Sequence, residues 1–338
     1  MARVGIRDVA VLADVAVGTV SNYLNHPDRV SAPKADRIRA AIDTLGFVPS
    51  NAGRQLRLGT SQVIGYLAPD VSNPYFAGIA ERVERRADER GVTVFLANSH
   101  RSREREDAYL EVFEQHRVKG MLVSSHLPIE DRLAQLHRRG TPSVLVGQRA
   151  RGDEQASVSL DDVSGGRQAM RHLLDVGCRR IAFVGGPLGI PQVADRLSGS
   201  SGEVRLHGSA TLEVIDQPDR TVQGGLEVGR ALAARPAAMR PDGIFAVNDL
   251  LAIGIMQQLV LGGVSVPRDV AIVGYDDNEF AEASLIPLSS VRGRHEGFGV
   301  AVVDLLFDAI ERREIAEPHR MFDPELVVRA SSTGFGVG

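Results

Sequence analysis

Between Val17 and Asn25 the chain reads VGTVSNYLN, and the side chains able to do chemistry there are short and uncharged. Hydroxyls at Thr19 and Ser21 can reach phosphate oxygens, Asn22 can pair with an adenine edge, and Val17 can touch a thymine methyl. Gly18 keeps the surface low, and Asn25 and Arg29 extend the same polar set. Such groups read the edge of a duplex. A second set follows the apolar runs later in the chain: Asp70 to Phe76, Gln148, Gly185 to Arg196, Asn248-Asp249 and Tyr275 to Asp277. Its amides, carboxylates, guanidinium and aromatic rings suit a polyhydroxylated ligand. Arg196, Asn248 and Asp276 can bond vicinal hydroxyls while Tyr75 or Phe76 covers an apolar face. Asp249 also fits a plain helix cap before LLAIG.

The first set needs a helix to carry it. Ile6, Val9, Ala10 and Ala13 fall on one helical stripe, and Val20, Tyr23 and Leu24 repeat it after a break at Asp14 to Ala16 short enough for one tight turn. This is helix-turn-helix spacing, although any small helical hairpin carries the same stripe; the polar residues gathered at the start of the second helix favour the groove-reading motif. A third helix is punctuated by Ser31 as N-cap, Pro33 near its first turn and Gly46 at its stop. Next comes PSNAGRQLRLG, residues 49 to 59, in which only Ala52, Leu56 and Leu58 are apolar. Two turns with so little to bury form no stable helix alone. The segment is either a linker or a helix that orders on a partner, Leu56 wedging into a minor groove while Arg54 and Arg57 meet phosphates. Residues 1 to 59 hold eight basic against five acidic residues, which leaves the remaining chain at −7 of the total −4. A basic head on an acidic body suits a phosphate-binding module joined to a separate unit.

In the rest of the 338 residues, composition excludes more than it identifies. No apolar run approaches the roughly 20 residues that cross a bilayer, and the N-terminus lacks the pattern of an export signal, so a cytoplasmic protein is expected. Cys178 is the single cysteine, which leaves a core thiol as the main reading and a nucleophile as the other. VGGPLG lacks dinucleotide-loop spacing, no phosphate-loop motif occurs, and the nine His show no zinc spacing, so no catalytic centre, cofactor or metal is expected. Asp161-Asp162 and Asp276-Asp277 are neighbours on the chain, and such pairs point apart. RSREREDAYLEVFEQHR, residues 101 to 117, reads as a solvated helix face with ion pairs one turn apart.

From Gln62 onward strands alternate with helices. VIGYLA, VTVFLA, GMLVS and SVLVG form one series, and RIAFVG, ATLEVI, GIFAVN and VAIVG a second, with early helices over 75–90, 103–116 and 129–139. Alternation of this kind gives parallel sheets covered on both faces, and two series give two subdomains. Ligands bind beyond the carboxyl ends of such strands, which is where the second polar set lies. One segment breaks the pattern: DRLSGSSGEVRLHGSATL, residues 195 to 212, carries so many Gly and Ser that a shortened or mobile stretch is expected beside the cleft.

IRDVAVLADVAVGTVSNYLN and LGFVPSNAGRQLRLG resemble the helix-turn-helix and hinge helix of the LacI/GalR family of bacterial transcription regulators. The likeness continues through IGYLAPDVSNPYFAGI, RRIAFVGGP, FAVNDLLAIG, VPRDVAIVGYDD and PELVVRASS. It implies an α/β chain with a three-helix head and hinge helix over 1–59. The body, 60–338, would be two Rossmann-type lobes like periplasmic binding proteins, about 61–160 and 161–288, with crossings near Leu160 and Ser290. It implies effector contacts at Asn73, Tyr75, Phe76, Gln148, Arg196, Asn248 and Asp276 for a sugar or sugar derivative, and a homodimer reading a near-palindromic operator in double-stranded DNA. The tail TGFGVG has no leucine heptad, so a dimer is expected and not a tetramer. Three positions depart from the family pattern: Asp14 stands where Gly is usual, Ala16 where Ser is usual, and Asn22 where Arg is common. Losing the Ser cap costs about 1 kcal/mol, and the changed face removes any operator sequence borrowed from relatives. The competing function is a solute-binding protein without a regulatory role, which the body alone would fit; DNA retention lost on removing residues 1 to 59 separates the two.

If Leu56 is a minor-groove wedge, Leu56→Ala weakens operator binding and spares effector binding. A gel-shift titration beside a calorimetric effector titration checks this, and unchanged operator affinity refutes the wedge.

Overall fold

A 3.6-residue stripe governs the first fifty residues and strand-helix alternation the remainder, and the two patterns fold separately, as compact units 1–61 and 62–338. The computed structural model describes residues 4–48, 61–293 and 295–336. The expected hinge contacts Arg54, Leu56 and Arg57 lie outside the described residues.

In the head, α1 (Ile6–Leu12), α2 (Val17–Asn25) and α3 (Ala32–Leu45) close on Val9, Ala10, Ala13, Val20, Ile38, Ala41 and Phe47. Asp14 takes the left-handed backbone that the tight turn demands, φ 49°, which a short polar side chain tolerates. α2 starts at Ala16 with no side-chain cap. Ser31 occupies the N-cap of α3 in extended backbone, yet its side chain makes no capping bond; Pro33 and the left-handed Gly46 mark the two ends.

The first lobe of the body is built from β1 (Val63–Ala68), α4 (Pro74–Glu89), β2 (Thr93–Asn98), α5 (Arg103–Gln115), β3 (Met121–Val123), α6 (Glu130–Arg138), β4 (Ser143–Val146) and β5 (Ala156–Leu160). The second contains α7 (Asp162–Asp175), β6 (Arg180–Val184), α8 (Pro191–His207), β7 (Thr211–Ile215), α9 (Val222–Ala233), β8 (Gly243–Ala246), α10 (Asp249–Leu261), β9 (Ala271–Tyr275), α11 (Glu279–Ala283) and β10 (Ser289–Gly293). α12 (His295–Ile310) and β11 (His319–Phe322) return to the first lobe, and β12 (Pro324–Val327) ends in the second. The chain therefore crosses between lobes three times: near Leu160, near Ser290 and again at Asp323, between β11 and β12.

The sheet orders are β11-β5-β4-β3-β1-β2 and β12-β10-β9-β8-β6-β7. All pairings are parallel except β12 against β10. In each lobe the order reverses beside the first strand, between β1 and β3 and between β6 and β8, and a crevice opens at such a switch point. β3 and β4 are wholly buried, as parallel strands covered on both faces should be. Cys178 is core: its thiol is buried against the Asp242 carbonyl, and burial pushes it up to about 12.

The expected break over 195–212 is overturned. α8 runs unbroken from Pro191 to His207 and stops at left-handed Gly208. Its small residues weaken an isolated helix but let this one cross α7 in near backbone contact. A Cβ on Gly199 would lie 2.0 Å from the Val163 carbonyl oxygen, and one on Gly166 of α7 would lie 2.1 Å from that of Arg196. Ser200 donates to the Gly166 carbonyl at 3.2 Å across the same crossing. Packing outweighs propensity here, because the lost contacts would exceed the roughly 1 kcal/mol that each glycine costs a helix.

Two substitutions in α8 should therefore act with opposite signs. Gly202, with open space at its Cβ position, should tolerate Gly202→Ala with a gain of about 0.5–1 kcal/mol. Gly199→Ala should lose about 2 kcal/mol or more, because backbone must move. Denaturant melts of both variants check this, and equal effects would refute the close crossing.

Candidate functional site

The body's crevice lies where the switch points predict, at the carboxyl ends of both sheets. The cavity of about 70 Å³, several times the space that one water needs, suits a molecule of many atoms. Asn73, Tyr75, Phe76, Arg196, Asn248 and Asp276 all line it. Gln148, half-buried just past β4, is not among the lining residues; Gly147 lines the wall at that strand end.

Arg196 is the best-held group. Its Nε donates to Asp162 Oδ1 at 2.8 Å, its Nη1 donates to the Val247 carbonyl at 2.5 Å, and its Cζ lies 3.5 Å from the centroid of the buried Tyr275 ring. The side chains of Arg196 and Asp162 are 11% and 5% exposed, so the pair is desolvated and geometrically fixed. Burial works against the guanidinium, but Asp162, Tyr275 and Asp276 together leave it more firmly protonated than usual. The sequence reading weighed Asp162 only as one of a chain-adjacent pair. That pair does point apart, with Asp161 capping α7 through Ser164 N and Asp162 turning to Arg196.

Asp276 and Asp277 diverge in the same way. Asp277 pairs with Arg329 at 2.5 Å, while Asp276, at φ 104°, lines the cavity. Burial pushes the Asp276 carboxyl up to about 7; Asp162 adds to the rise, and Arg196, Asn73 and Arg220 oppose it. Asp249 is not a lining residue: its carboxylate accepts from Ser290 Oγ at 2.6 Å and from Asn278 N at 2.9 Å, tying α10 to the loop that carries Asp276. Asn248 and Asn73 each cap a helix, accepting from Leu251 N and Tyr75 N at 3.0 Å, so both are structural as well as lining groups.

Several lining residues were missed. His126 follows β3 and would have come from applying the strand-end rule there. Arg220 and Arg101 follow the edge strands β7 and β2 in loops without a motif. Arg220 Nη2 donates to His126 Nδ1 at 3.1 Å. Burial, with Arg220, Arg101 and Arg196 nearby, drives that imidazole down to about 3, so it is neutral with its proton on Nε2. Gln192 donates to the Gly147 carbonyl at 2.9 Å. These last two bonds join opposite lobes across the cavity.

In the head, α2 leaves Val17, Gly18 and Asn22 in solvent; Thr19, Ser21 and Asn25 are half-buried beside them, and Arg29 is exposed just beyond. The Asn25 amide is engaged on its own helix, donating to the Ser21 carbonyl at 2.5 Å. Among the described residues no helix is long and apolar enough to cross a membrane, and no group of His, Cys, Asp and Glu is placed to hold a metal.

Comparison with known proteins adds the following. Residues 5–50 match the family described as bacterial regulatory proteins, lacI family, and residues 170–332 match a periplasmic binding protein-like domain. The chain is 30% identical to the ribose operon repressor of Escherichia coli (strain K12) over 334 residues, 97% of this chain and 99% of that protein. It superposes on the transcriptional regulator CelR in complex with cellobiose with a TM-score of 0.72 at 31% identity, covering 98% and 100% of the two chains. A lac repressor dimer bound to operator and an anti-inducer shares the fold at a TM-score of 0.81 and 24% identity, covering 98% and 99%.

A buried acid whose affinity for its proton rises on folding keeps that proton after the unfolded chain has lost it. Its contribution to stability therefore falls as pH rises from about 4 through about 7. Asp276→Asn removes this decline. The unliganded variant should melt above the parent near pH 8, with the gap closing toward about pH 5; parallel pH dependences in thermal melts would refute the raised carboxyl.

Proposed function

The chain belongs to the lacI family of bacterial regulatory proteins, DNA-binding transcriptional repressors, and we propose that its operator affinity is set by a sugar or sugar derivative held between the two lobes of the body. The observation that carries this reading is the cavity wall. Gln192 to Gly147 and Arg220 to His126 bridge the lobes at the site where Arg196 and Asp276 offer a donor and an acceptor. A polyol seated there exchanges bonds with both lobes and so has different affinity for closed and open forms, which is the requirement for shifting a two-state equilibrium. The names of the relatives, one a ribose operon repressor and one solved with cellobiose, favour a carbohydrate.

On the DNA side, the exposed face of α2 with Val17, Gly18 and Asn22 reads base edges, Thr19, Ser21, Asn25 and Arg29 supply positioning contacts, and the hinge with Arg54, Leu56 and Arg57 enters the minor groove. A homodimer presents two such heads to a near-palindromic operator. Phe95, Leu96 and Val112, apolar yet exposed on β2 and α5 of a single copy, support burial against a second.

Duplex selected from a random pool by the full-length chain, followed by titration of sugars against the complex, tests the reading. A responsive sugar should change operator affinity about 5- to 150-fold, the usual range of such coupling. Asp276→Ala should keep operator binding and lose the response; an unchanged response removes Asp276 from the site.

A further inference from the structure

We infer that the effector carries an oxyanion, a carboxylate or a phosphate on a hydroxylated carbon skeleton, and that Arg220 is the residue that receives it. The inference rests on the effector site of the preceding section and specifies its ligand.

The three arginines of the cavity are not equivalent. Arg196 has its charge met by Asp162 and is further held by the Val247 carbonyl and the Tyr275 ring. Arg101 faces Asp70 at 3.8 Å. Arg220 has no such counterion: among the described residues no carboxylate forms an ion pair with it, its Nη2 meets only the imidazole Nδ1 of His126, and its Nε is buried without any hydrogen-bond partner. A guanidinium withdrawn from water and left with one neutral acceptor is costly, and its planar fork matches the two oxygens of a carboxylate or phosphate. The nearby charges do not meet this need. Burial and the like charges of Arg101 and Arg196 draw the Arg220 guanidinium down to about 10, outweighing Asp276 and Asp70, which favour the cation without forming an ion pair with it. Asp70 spends one oxygen on Ser72, with bonds of 3.1 Å and 2.6 Å, and turns the other to Arg101.

Topology separates the two chemistries of the cavity. Arg101 and Arg220 follow β2 and β7, the edge strands of their sheets, and His126 joins them through its bond to Arg220. Asp162 and Asp276 follow β5 and β9, which lie on the other side of the switch points. A ligand spanning the cavity therefore sets hydroxyls against Asp276 and Asn248, which follow β9 and β8, and an anionic substituent against Arg220. Because Arg220 belongs to the second lobe and its partner His126 to the first, an oxyanion there also acts directly on lobe closure.

Calorimetric titration of the full-length chain with matched sets of pentoses and hexoses, their aldonates and their phosphate monoesters tests this. An anionic member should bind about 10- to 100-fold tighter than its neutral parent, the range of a charge-assisted bond. That ratio should shrink at high salt, and the arm that keeps the preference, carboxylate or phosphate, identifies the group. Arg220→Gln should erase the ratio, and because the ratio compares two ligands on the same variant, loss of the bond to His126 does not by itself move it. Neutral sugars that bind as well as their anionic partners, with loss on Asp276→Ala, overturn the oxyanion and leave the sugar site standing. An anion preference that survives Arg220→Gln overturns the assignment of Arg220. No binding by any member overturns both readings.

Discussion

The body depends on one buried cation. Arg196 leaves α8, crosses to Asp162 at the start of α7, reaches the carbonyl that ends β8 and lies flat on Tyr275 at the end of β9. Four elements of the second lobe thus meet at a single guanidinium whose position is fixed by direction as well as by charge. A desolvated pair of this kind adds little net stability against an apolar alternative, but removing either partner strands a charge, so its value lies in holding one arrangement.

That arrangement requires α7 and α8 to run almost touching. The glycines that make α8 a poor helix by propensity provide the room, since at Gly166 and Gly199 a side chain would meet backbone of the other helix. α9 and α10 repeat the solution, with Gly225 and Gly254 facing each other's backbone. The cavity is lined from the strand ends of both lobes.

Around the gap, groups divide into those that are finished and those that are not. Asp249, Asn248 and Asn73 have their bonds within the protein and set the loops. Arg220 does not, and the raised carboxyl of Asp276 is likewise held at a cost that a ligand with hydroxyls and charge would offset. Binding sites are where incomplete pairing is expected, because the missing partner arrives with the ligand.

The helix stripes of the head, the tight turn over Asp14 to Ala16, the two strand series and the strand-end positions of Asn73, Tyr75, Phe76, Arg196, Asn248 and Asp276 were legible in the residues, since periodicity and turn chemistry are local properties. The unbroken α8 was not, because its stability comes from a neighbour 30 residues earlier in the chain. Nor were Arg220, Arg101 and His126, which carry no motif and become a site only when two edge strands and a third strand end converge. The sequence determined which segments form and which chemistry is on offer; packing decided which groups lose their water, which find partners and which are left waiting for one, because desolvation is a property of the whole fold and not of any stretch of it.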